Sequence, residues 1–114
     1  MIAALAALLV VAMGSADVAR VLVAASKAQT AADAAALAAA QTMAMSAGEE
    51  VPADLAQMYA VRNGGSLESC ECDPESFEAT VVVRMPVGRL FLVADDRSVT
   101  ATARAIVDLP SSAG

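Results

Sequence analysis

The sequence has no histidine, no tryptophan, one tyrosine and two phenylalanines. Without histidine it lacks the commonest general base and the commonest metal ligand. Its two cysteines, Cys70 and Cys72, supply half of a four-coordinate zinc site and no more. Seven basic residues, scattered through a chain of net charge −6, leave no electrostatic footprint for nucleic acid. No catalytic motif occurs, so the chain reads as non-enzymatic, with no cofactor, no metal and no small-molecule substrate. No proline precedes Pro52, and no charge precedes Asp17.

What the chain does have is small apolar side chains. Of its 114 residues 58% are hydrophobic and only 3% aromatic, so any core is small and built largely from Ala, Val and Leu. The mean hydropathy of +0.60 is high for a soluble globule, and the excess sits near the N-terminus. Alanine is the strongest helix former, with Leu and Met close behind. The residues therefore predict one helix from Ile2 to about Ala47, interrupted only by the weak helix former Gly14. Such a helix is about 70 Å long. No small globule buries that length, so part of it must lie in lipid or in an assembly.

Met1–Ala16 alone covers about 24 Å, short of the ~30 Å hydrocarbon core of a bilayer. Extension to Ala25 is long enough but brings in Asp17 and Arg20. These lie three apart and form a candidate membrane-interface pair, with Arg20 able to snorkel. An uncleaved anchor is favoured over a removed signal peptide, since no basic n-region leads the run, and over a buried core helix. Arg20 and Lys27 after the run would by themselves hold the C-terminal part inside. The stretch Lys27–Gln41, KAQTAADAAALAAAQ, offers a bare Ala surface. Another subunit's helix, or the chain's own domain, could approach it closely.

Ser46–Glu50 reads as a turn. Pro52 suits the first turn of a short helix, 52–62, with Leu55, Met58, Tyr59 and Arg62 as one stripe and Asn63-Gly64-Gly65 as its stop. Period-two alternation then predicts strands at about 66–72, 77–85 and 98–108. The predicted fold is α+β: a long N-terminal hydrophobic helix (1–47), then a small α/β head (48–109) with a short helix and a three-stranded antiparallel sheet, then a flexible tail (110–114). Between strands two and three, Leu90, Phe91, Leu92 and Val93 form an apolar run. It is a candidate partner or membrane contact, although an extension of a neighbouring strand is the favoured reading. Cys70 and Cys72, two apart on a strand, share a face. Partly buried thiols, a bond within the pair, a bond to another subunit and a redox role all remain open.

The segment AQTAADAAALAAAQ, following an apolar run, resembles the actinobacterial TadE-like proteins encoded near tight-adherence pilus genes. YAVRNGGSLESC resembles that family's short helix, Arg-Asn-Gly turn and Leu-x-x-Cys strand, and TATARAIVDLP its Ala-Arg-Ala final strand. The resemblance implies a minor pilin-like, single-pass component of a type IV-b (Flp/Tad) pilus or related secretion machinery. Its N-terminal helix would sit in membrane lipid and pack against pilus or secretion subunits. Its pilin-like head would be extracytoplasmic, at the cell surface. Leu5 stands where processed pilins carry glutamate, which argues against a major-pilin role. The family's second cysteine, near the short helix, has no counterpart here, and Cys72 is additional, so no disulfide carries over. The alternative is a secreted small binding domain whose N-terminus is a cleaved signal.

Overall fold

A run without proline and with a single glycine stays helical from Ile2 to Met45, which is α1. The computed structural model describes residues 2–46, 48–88 and 97–108. α2 (Pro52–Arg62), β1 (Ser66–Asp73), β2 (Glu78–Gly88) and β3 (Arg97–Ile106) follow in that order. The strands form one antiparallel meander, β1-β2-β3. This is the α+β arrangement the residue pattern predicts, and α1 sets the long axis of a molecule measuring 76 × 27 × 17 Å. The 90–93 run and the 110–114 tail lie outside the described residues.

The head is two layers, helix over sheet. Along α1 the buried alanines include Ala24, Ala28, Ala31, Ala35 and Ala38, spaced four, three, four and three apart, and Ala32, Ala36 and Ala39 widen the stripe. That spacing keeps one side of a 3.6-residue helix against its neighbours. From the sheet, Ala79, Val81, Val83 and Met85 on β2 and Ala103 on β3 meet it, all buried. Alanines facing alanines and valines let backbones approach closely, which is how so few large side chains make a core. The predicted Ala-rich surface is thus covered along one side by the chain's own head.

α2 is turned by about one residue from the predicted stripe. Its buried residues are Ala56 and Ala60, while Met58 is 44% exposed and Arg62 stacks on the Tyr59 ring at 5.3 Å. The small residues win the contact because the buried stripe of α1 is mostly alanine, and a methionine at that spot would hold the helices apart. Asn63-Gly64-Gly65 ends α2 as a Schellman cap: Gly65 N donates to the Ala60 carbonyl and Gly64 N to that of Val61, both at 2.9 Å. Gly64 takes the left-handed φ of +86°. Gly65 is needed for space, since a Cβ there would lie 2.8 Å from Val83 Cγ1 and 2.9 Å from the Arg84 carbonyl oxygen.

A register shift between Leu67 and Ser69 makes Glu68 a bulge. The extra residue changes the parity of β1, so Leu67, opposite Val83, shares the inner face with Cys70 and Cys72, opposite Val81 and Ala79. β2 begins at Glu78 rather than Phe77. Phe77 adopts φ +55° in the turn after Asp73, whose carboxylate accepts from the Glu75 N–H and the Ser76 hydroxyl. The outer sheet face is mostly polar, with Val82 and the exposed Ile106 among its residues, and is tied by Arg84–Glu68 and Arg104–Glu78 pairs, each 2.7 Å. Glu78 raises the pKa of Arg104 further through that hydrogen bond, which leaves its charge unchanged at any working pH.

Candidate functional site: the apolar helix end and its junction with the head

α1 changes character along its length. Between Ile2 and Val23 the large apolar side chains are exposed on every side: Ile2 by 85%, Leu9 by 67%, Leu22 by 64%. Almost none of the most apolar stretch of α1 is buried, and by length and composition the helix is long and apolar enough to cross a membrane. A soluble domain's core helix would be covered instead, and a helix that is apolar all round requires an apolar surrounding. On the face turned away from the head, Leu22 gives way to Ser26, Thr30 and Asp33, all exposed.

The two predicted interface residues lie where the bare helix meets the head. Asp17 is 8% exposed, in line with the covered alanines Ala24 and Ala31, whereas Arg20 is exposed. Two helical turns on from Arg20 and on the same side is Lys27. Together with Ala19, Val23, Ala24, Pro86 and Val87 they line a cavity of about 260 Å³. Pro86 lies beyond the last β1–β2 partner, Arg84, so the central strand has one open edge there, the kind of place where a proline is tolerated. Lys27, Pro86 and Val87 were not legible as part of this site. The spacing of Arg20 and Lys27 was the available signal, but only the β2–β3 register brings Pro86 to them.

At the opposite end of the head, Cys70 and Cys72 are half-buried and joined in a disulfide, with Cα atoms 5.7 Å apart. They line a cavity of about 330 Å³ with Met43, Val51, Pro52 and Pro74. Among the described residues no three His, Cys, Asp or Glu side chains come together to hold a metal ion.

Residues 1–42 match the model of the putative Flp pilus-assembly TadE/G-like family. The match covers nearly all of α1 and stops before α2, so the two later motifs that resembled TadE-like proteins lie outside it. No curated protein and no solved structure matches the chain. Family and apolar helix together point to a membrane-associated component of pilus assembly, and over residues 1–42 the chain carries the sequence signature of the putative Flp pilus-assembly TadE/G-like family.

Proposed function

We propose that the protein is a structural, non-catalytic minor pilin-like component of a type IV-b (Flp/Tad) pilus or related secretion machinery. In this reading it is held by a single membrane-spanning segment, Ile2–Val23, with its head outside the cytoplasm. The observation that carries the reading is that one helix is bare and apolar over its first half and forms the head's core over its second. Such a part positions a small head at a fixed height above a membrane. It presents its exposed apolar face, and the outer face around Leu37, to neighbouring subunits. Small residues at Ala3, Ala6, Ala7 and Gly14 favour close helix–helix contact within lipid.

One observation favours the secreted alternative: among the described residues every buried one lies at or after Asp17, so removal of the apolar run would leave the core intact. Carbonate extraction of membranes, followed by intact mass of the protein found there, separates the two. The anchored reading expects the chain in the carbonate-resistant pellet with its apolar run present. A soluble product lacking that run would replace it with the secreted one.

A further inference from the structure

Cys70 and Cys72 are joined across a single residue of β1. Such a bridge ties no second element to the strand. Its loop is so short that the bond removes little entropy from the unfolded chain. β1 is already held by its ladder to β2 and by its contact with α2. The disulfide therefore has little to stabilise, and opening it costs the head little.

The surroundings favour opening. The pair lines its cavity of about 330 Å³ together with Val51, Pro52 and Ala53, the N-terminal end of α2. That end is uncapped, since Val51 is the N-cap residue and makes no side-chain hydrogen bond, and Pro52 has no N–H. Among the described residues no acceptor meets the Ala53 N–H. An unclaimed donor and the positive end of the α2 dipole thus border the cavity that the two cysteines line. A sulfur leaving as thiolate is stabilised in such a place. Glu50, which lines the same cavity, opposes this in part.

The bond is also within reach. Both cysteines are half-buried, and β1 is an edge strand, paired with β2 on one side and with no strand on the other. An extended segment of another chain can lie along such an edge. Cys72 borders a second cavity as well, with Glu71, Asp73, Glu78 and Thr80, which makes it the sulfur approached from outside.

We propose that the Cys70–Cys72 disulfide is a thiol-exchange site, through which the head becomes covalently joined to a cysteine of another protein chain. A thiolate on an extended segment attacks Cys72 Sγ and a new S–S bond forms there. The Cys70–Cys72 bond breaks, and its electron pair leaves with Cys70 Sγ, which takes up a proton from water. One disulfide is lost and one is made, so the step needs neither oxidant nor reductant. This goes beyond the pilin-like reading and holds for an anchored or a secreted head, both of which put the pair where disulfides persist.

The test uses the full chain in detergent, with glutathione as the attacking thiol and the freed cysteine trapped by alkylation. The expected adduct maps to Cys72, with the alkyl group on Cys70. Val51→Asp supplies the missing cap and an anion beside it. Exchange then slows about fivefold while the melting temperature does not fall. Glu50→Gln speeds exchange, and Cys70→Ser with Cys72→Ser melts like the wild type. No adduct, an adduct on Cys70, or an unchanged rate in Val51→Asp overturns the proposal. So does a double-serine variant that melts much lower, because the bond is then a structural staple. In cells, a non-reducing gel identifies the source of the thiol. A band at twice the chain's mass means a second copy whose own pair has opened, and a band of another mass means a different protein. Both are lost in Cys72→Ser, and monomer alone in the wild type overturns the covalent partner.

Discussion

Leu9→Asp moves the protein out of the carbonate-resistant membrane fraction. Leu9 lies about 10 Å from Ile2 and is 67% exposed on a part of α1 with no charge before Asp17. In the hydrocarbon core a leucine is favourable by about 0.5 kcal/mol and an aspartate unfavourable by about 3. The change of roughly 3.5 kcal/mol lowers the equilibrium constant for membrane insertion more than a hundredfold relative to the wild type. Aspartate is the sharper probe because its short side chain cannot snorkel. Leu9→Arg has the same sign and a smaller effect, since an arginine there reaches toward the nearer interface. Leu9→Ala leaves fractionation unchanged. Retention of Leu9→Asp at the wild-type level would mean that the first half of α1 is held by something other than lipid.

Ala35→Leu destabilises the head by about 3 kcal/mol, at the upper end of what overpacking costs. Ala35 is wholly buried in the stripe where α1 meets the head, and its neighbours in the core, Ala56, Ala60, Val81 and Val83, are themselves wholly buried. Three extra carbons have no room unless α1 lifts from the sheet or from α2, and lifting exposes the rest of the seam. For a head of this size the melting temperature falls by about 15 °C. Ala25→Leu puts the same side chain on an exposed position of the same helix and leaves the melting temperature nearly unchanged. Thermal melts of the two variants in detergent decide the matter, and equal losses would show that the seam is not tightly packed.

The sequence was readable where one residue type dominates. An unbroken Ala, Leu and Val run without proline can only be helix, and α1 extends from Ile2 to Met45, two residues short of the predicted end because Ser46 bonds back to the Thr42 carbonyl and Gly48 turns at φ +85°. The alternation of Val81, Val83 and Met85 with Val82 and Arg84 gave β2 and its inner face for the same reason. What was not readable depended on distant partners. The rotation of α2 onto Ala56 and Ala60 follows from what α1 offers, not from the hydrophobicity of α2. The bulge at Glu68 puts Leu67 and the cysteines on one face, and nothing local to SLESCECD marks an extra residue. Where the bare helix meets the head, Asp17 and Arg20 stood out as charges in an apolar run. The cavity that Arg20 borders needed the β2–β3 register, which brings a proline 66 residues after Arg20 against the same turn of α1.

The central claim is that a single unbroken helix spans the membrane with its first half and builds the head with its second. Tryptophan depth along α1 tests it most directly. Leu9, Leu22 and Leu37 are all exposed, at 67%, 64% and 49%, and each can carry the chain's only tryptophan. In bilayers with lipids brominated at defined depths, the account predicts that Leu9→Trp is quenched best by deep bromines and Leu22→Trp by shallow ones, with Leu37→Trp unquenched. Three unquenched reporters, or Leu37→Trp quenched as deeply as Leu9→Trp, would contradict it.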